Sequence, residues 1–173
     1  ENKISFPYLL LLVSGGHSQY LIVKGINNYK QIGTTIDDAV GEAFDKTAKI
    51  LNLGYPGGPN VEKFSKLGKK DSFILPQPII NRAGCNLSLA GLKTDVLRKS
   101  KNLKTDKERY NLAASFQETV NRILRKKTEI AMKQFRNEIP DKLLKYFVVA
   151  GGVAANETIR KSLKEISFKM NFK

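Results

Sequence analysis

The tightest constraint in this chain is a pair of short apolar runs that each end in a glycine doublet. Tyr8 to Val13 (YLLLLV) stops at Ser14-Gly15-Gly16, and Lys145 to Ala150 (KYFVVA) stops at Gly151-Gly152. Continuous apolar runs of this length read as buried strands, and glycine can continue neither strand nor helix. Between them the periodicity alternates. Gln19 to Lys24 and Lys30 to Ile36 read as further strands, with Asn27-Asn28 as the turn, so the first three strands form an antiparallel meander. A helix is predicted from Asp38 to Leu51 with Asp37 or Asp38 as its N-cap, and a short one over Val61 to Leu67. Residues 70 to 92 read as irregular. Leu112, Phe116, Val120, Ile123, Leu124 and Ala131 recur at helical spacing and predict a long helix from Asp106 to Asn137. Ala154 to Ile166 reads as a last amphipathic helix. Strands and helices that alternate across glycine switches make an α/β arrangement.

The 173 residues fit one domain or parts of two small ones. A single cysteine, Cys85, excludes an internal disulfide framework and suits a reducing, cytoplasmic setting. The longest apolar run is far too short to cross a bilayer. The chain opens at Glu1 without a signal segment, which suggests a processed or truncated protein. Its charge is unevenly placed. Of 30 basic and 16 acidic residues, residues 1–60 hold five of each, so the whole +14 falls on residues 61–173. That asymmetry suits a polyanionic partner, and equally a basic proteome.

Ser14-Gly15-Gly16-His17 reads either as an ordinary hairpin turn or as a nest of amides for an anion, and on its own the hairpin is favoured. Gly151-Gly152, between strand and helix, is a place for a nucleotide. Asp38, Glu42 and Asp45 share one helix face. They can accept from a ribose diol or hold a metal, or they form a solvated face with an Asp45–Lys49 pair. His17 is the only histidine, so neither a histidine-based metal site nor a zincin motif exists, and a Ser14–His17 nucleophile pair has no third member.

Four segments stand in a telling order: LLVSGGHSQYL (11–21), IDDAVGEAFDKTAKILNLGYPGGP (36–59), LAGLKT (89–94) and VVAGGVAANETIR (148–160). Together they resemble the tRNA threonylcarbamoyladenosine transferase family (TsaD or Gcp, formerly O-sialoglycoprotein endopeptidase) over essentially the whole chain. The resemblance implies an actin-like, sugar-kinase and Hsp70-type two-lobed fold, present here as a fragment. Residues 1–60 would belong to the first lobe and 61–173 to the second. It implies transfer of a threonylcarbamoyl group from threonylcarbamoyl-adenylate to the adenosine beside the anticodon of tRNA, with ATP or the adenylate as ligand.

By motif match, Leu12, Val13, Ser14, Gly15 and Gly16 would cradle the phosphate or acyl end. Asp45, Gly58, Glu62 and Asn156 would complete the ligand cleft, with Asp45 and Glu62 sharing a ribose diol. Asp38 and Glu42 remain a cap and a surface charge. The family's divalent metal, iron or zinc, is held by an H-x-x-x-H pair upstream and an aspartate downstream, neither of which this chain contains. It therefore reads as the inner portion of a longer protein, inactive alone. Leu89-Ala90 replaces the family's usual serine in SFSGLKT. The resemblance further implies a paralogous actin-like partner and an accessory ATPase. Arg98 to Arg109, with six basic and two acidic residues, is the candidate tRNA contact. Competing readings are a phosphotransferase or ATPase of the same superfamily, and a tRNA- or partner-binding module without activity.

Overall fold

A computed structural model describes residues 4–140 and 143–173. Three strands open the fold: β1 (Tyr8–Val13), β2 (Ser18–Gly25) and β3 (Asn28–Thr34). Helices α1 (Val40–Ile50), α2 (Gly57–Ser65), α3 (Ala90–Ser100) and α4 (Asp106–Glu138) follow, then β4 (Tyr146–Ala150), a 3₁₀ turn (Gly152–Ala155) and α5 (Glu157–Lys169). The sheet order is β3-β2-β1-β4, antiparallel through the meander and parallel between β1 and β4. Leu12 pairs with Ala150, so the two glycine doublets leave the sheet side by side at one edge. The sheet thus draws strands from both sides of residue 60. This is the mixed, actin-like α/β architecture expected.

Leu9, Leu11 and Val13 point alternately into a core that includes Ile22, Phe44, Phe116 and Ile123. Tyr20 fastens the sheet to α4: its buried hydroxyl lies 2.9 Å from Thr128 Oγ1 and donates to the Leu124 carbonyl. That removal from water pushes the phenol well above its ordinary range. At the start of α4, Thr105 accepts from the Glu108 amide while the Glu108 carboxylate accepts from the Thr105 amide, a reciprocal capping box.

Several element boundaries differ from the sequence reading. Neither Asp37 nor Asp38 caps α1; its N-cap is Ala39, and Glu42 accepts from the Ala39 amide. Asp37 instead accepts from the Ser88 hydroxyl at 2.5 Å and from the amides of Leu89 and Ala90, which caps α3, a helix the sequence did not announce. Asp38 is an ion-pair partner rather than a cap, 2.9 Å from Lys46 Nζ and 2.7 Å from Lys93 Nζ. The second short helix starts at Gly57 rather than Val61, because Asp45 Oδ1 accepts from the Gly57 amide at 2.9 Å. The third strand ends at Thr34, and Thr35 makes a lone parallel bridge to Leu87. The last helix begins at Glu157 with Asn156 as its cap and runs to Lys169. Helix ends leave amides unpaired; at α2 and α3 carboxylates distant in sequence satisfy them, and at α1 and α5 the nearby Glu42 and Asn156 do so.

Candidate functional site

A cavity of about 290 Å³ opens where the end of β1, the first turns of α1, the start of α2 and the 3₁₀ turn converge. Its walls include Gly15, Asp45, Gly58, Glu62 and Asn156, so five residues singled out from sequence come together. Phe44, Tyr55 and Gly152 join them there.

Two carboxylates hold the walls in place. Asp45 on α1 caps α2, and Glu62 on α2 accepts from the Glu157 amide at 2.7 Å, which helps to cap α5. Each thereby commits one oxygen to a helix N-terminus. Among the described residues, the second oxygen of each has no hydrogen-bond partner. An ionised carboxylate is acceptor-only, so these two oxygens suit hydroxyl donors such as a ribose diol. Among the described residues Asp45 pairs with no lysine, and the Asp45–Lys49 pair weighed from sequence does not form.

Asn156 is buried, with both ends of its amide engaged. Its Oδ1 accepts from the Ile159 amide at 3.0 Å, and its Nδ2 donates to Gln117 Oε1 at 2.8 Å. These two bonds fix the orientation of its side chain in the wall. The cavity floor is apolar. Phe44, 1% exposed, packs edge-on against Phe116 with ring centroids 5.2 Å apart.

The first glycine turn is partly self-satisfied. Ser14 Oγ accepts from the amides of Gly16 and His17, and the Ser14 amide donates to the His17 carbonyl. Ser14 therefore meets the backbone of His17, and no nucleophile–imidazole contact forms. Of the four residues of the turn, Gly15 alone lines the cavity. Leu12 and Val13 are held in β1 opposite Gln19 and Ser18, and Ser14 and Gly16 stand beside the cavity rather than on its wall. Gly151 packs the two turns together. With φ 104°, it lies so close to β1 that a Cβ there would stand 2.1 Å from the Val13 carbonyl oxygen.

An apolar floor, bare backbone at Gly15, Gly58 and Gly152, and two carboxylates each with an unpaired oxygen make a pocket suited to a small ligand that carries hydroxyl donors. Tyr55, Phe44 and Gly41 were not singled out from sequence. Only their place in GYPGGP and DAVGEAF pointed to them. Among the described residues, no group of three His, Cys, Asp or Glu side chains could hold a metal ion. The divalent metal implied by resemblance therefore has no donor set in these residues. Nor is any helix of the described residues long and apolar enough to cross a membrane.

A family model described as TsaD, tRNA N6-adenosine threonylcarbamoyltransferase, matches residues 1–173. The chain is 54% identical over 172 residues to the tRNA N6-adenosine threonylcarbamoyltransferase of Pelagibacter ubique (strain HTCC1062), covering 99% of this chain and 48% of that protein. Against the protein of the same name from Rhizobium meliloti (strain 1021) it is 46% identical over 172 residues, with 98% and 48% covered. Against that of Brucella suis (strain ATCC 23445 / NCTC 10510) it is 47% identical over 171 residues, again with 98% and 48% covered. The chain spans about half the length of the curated relatives it matches.

Proposed function

The chain belongs to the tRNA N6-adenosine threonylcarbamoyltransferase family, and from that premise we propose that it supplies the adenylate-binding cleft of such an enzyme. In the full-length protein the reaction is transfer of a threonylcarbamoyl group from threonylcarbamoyl-adenylate to the N6 amine of the adenosine beside the anticodon. The amine attacks the carbamoyl carbon, the new C–N bond forms, the C–O bond to phosphate breaks, and AMP leaves as the amine loses a proton. Residues of this chain bind and orient the donor. The unpaired oxygens of Asp45 and Glu62 accept from the ribose hydroxyls. Gly15, Gly58 and Gly152 let the phosphate and acyl portion approach the backbone closely, and Phe44 offers an apolar surface. Asn156 holds the wall against which the ligand rests. Leu12, Val13, Ser14 and Gly16 keep the β1 turn in register. The metal belongs to parts of the enzyme outside these residues, and no step is assigned to it.

The observation that carries this reading is the convergence of Gly15, Asp45, Gly58, Glu62 and Asn156 on one cavity. The basic surplus beyond residue 60 supports tRNA as the acceptor, through the Arg98–Arg109 segment. There Arg98 and Lys99 pair with Asp95 and Arg109 with Asp106, while Lys101, Lys104 and Lys107 form no ion pair among the described residues. A paralogous actin-like subunit, an accessory ATPase and a cytoplasmic setting complete the proposal.

The test is titration of the full-length protein with a non-hydrolysable threonylcarbamoyl-adenylate analogue. Asp45→Asn, which keeps an oxygen to accept from the Gly57 amide but turns the other acceptor into a donor, is expected to weaken binding at least tenfold while the thermal unfolding midpoint stays near that of the unmodified protein. Unchanged affinity would remove Asp45 from the site.

A further inference from the structure

The cleft does not end at Asp45. Asp45 and Tyr55 also border a second depression of about 490 Å³, lined by Lys46, Lys49, Asn52 and Gly54. Asn52 in turn borders a third, of about 290 Å³, whose lining includes Ser100, Lys104, Thr105 and Arg109. Shared lining residues set these three hollows side by side in one row, a segmented trench. It leaves the cleft over Tyr55, follows the second half of α1, and reaches the start of α4.

The chemistry along the trench is uniform in kind. Tyr55 is 86% exposed, and no hydrogen bond or ring contact engages it among the described residues. An aromatic ring so exposed, without a packing partner, is a platform. Lys49 and Lys104 are exposed and form no ion pair among the described residues. Lys46 pairs with Asp38 and Glu42, and Arg109 pairs with Asp106, so their charge is partly neutralised. In the second and third hollows the lining carboxylates are Asp45 and Asp106, and Asp106 is the one Arg109 holds. Two unpaired ammonium groups, a free aromatic face and the side-chain amide of Asn52 therefore lie along one row of adjoining hollows. Single-stranded nucleic acid is bound by this combination, with cations following the phosphates and an aromatic ring stacking a base. A duplex keeps its bases stacked on one another and offers none to Tyr55.

We propose that this trench is a track for single-stranded RNA, in which Tyr55 stacks a base at the mouth of the cleft while Lys49 and Lys104 hold phosphates of the loop leading to it. The track rests on the function proposed above, because it delivers an RNA loop to the adenylate site. It adds the path and the residues that form it.

The experiment measures binding of a fluorescein-labelled RNA hairpin with an unpaired seven-nucleotide loop to the full-length protein, across a series of salt concentrations. In Lys49→Ala/Lys104→Ala the slope of log affinity against log salt is expected to become shallower by about 0.7 for each lysine removed. Affinity at low salt should fall about tenfold. Tyr55→Ala is expected to lose about tenfold with the slope unchanged, and Tyr55→Phe to retain affinity, as stacking requires. Lys161→Ala/Lys164→Ala removes the same charge from α5, which packs on α4 and the 3₁₀ turn, and should leave both readouts near the unmodified protein. A control that loses as much as the trench variant, or a trench variant with unchanged slope, would overturn the track. Affinity for the adenylate analogue separates the two proposals: the trench lysine variant should keep it. If the unmodified protein binds the hairpin with these dependences but not the analogue, the donor-site reading fails and the RNA track stands.

Discussion

The two glycine doublets leave the sheet side by side, yet they meet the molecule in different ways. Gly151 is required by the fold. Its φ of 104° and its approach to the Val13 carbonyl leave no room for a Cβ. Gly15 and Gly152, on the cavity wall, would place a Cβ with no protein atom within 4 Å, and neither has a positive φ. One glycine serves packing between β1 and β4. The other two keep open a volume that the chain itself does not fill. Their adjacency shows how a scaffold and a binding surface are built from the same residue type, and only the coordinates tell the two uses apart.

The largest effect expected is on folding. Gly151→Ala combines a steric clash with backbone strain, and should cost about 3 kcal/mol or more in denaturant unfolding. A loss below about 0.5 kcal/mol would mean that β1 and β4 can separate without penalty, and the contrast between the two doublets would collapse. Next comes the cap supplied across the fold. Asp37→Ala leaves the amides of Leu89 and Ala90 without their acceptor and should cost about 1–2 kcal/mol, while affinity for the adenylate analogue stays unchanged. Loss of that affinity with full stability would instead place Asp37 in the site.

The smallest effect is electrostatic. Burial raises the Asp38 carboxyl, but its contacts with Lys93 and Lys46 more than offset this and hold it below the usual carboxylate range. A depressed value in the folded state means that the stabilisation is present at neutral pH and lost as pH falls through that value. Unfolding midpoints below about pH 4 should therefore drop more steeply for the unmodified protein than for Asp38→Asn. Parallel curves would show that the ion pairs are not linked to stability.

How much of this could be read from the residues alone follows the range of the forces involved. β1, β4 and α4 were legible because a continuous apolar run or a long helical repeat is a local signal. The start of α2 and the whole of α3 were not. Their caps, Asp45 and Asp37, lie 12 and about 50 residues away, and propensity carries no information at that distance. The same holds for the site. The motif resemblance named Asp45, Gly58, Glu62 and Asn156, which do meet around one cavity. It did not reveal that Asp45 caps α2 and Glu62 helps to cap α5, nor that both ends of the Asn156 amide are engaged within the fold. Tyr55 escaped notice because exposure is a tertiary property.

Gly15→Val in the full-length protein tests the account most directly, with thermal unfolding and titration by the adenylate analogue carried out on the same sample. The unfolding free energy is expected to stay within about 0.5 kcal/mol of the unmodified protein, because no atom beyond the two neighbouring residues lies within 4 Å of a Cβ added at Gly15, while affinity falls at least tenfold. Unchanged affinity in a stable variant would contradict the account, since the space kept open at Gly15 would then not be the space that the donor occupies.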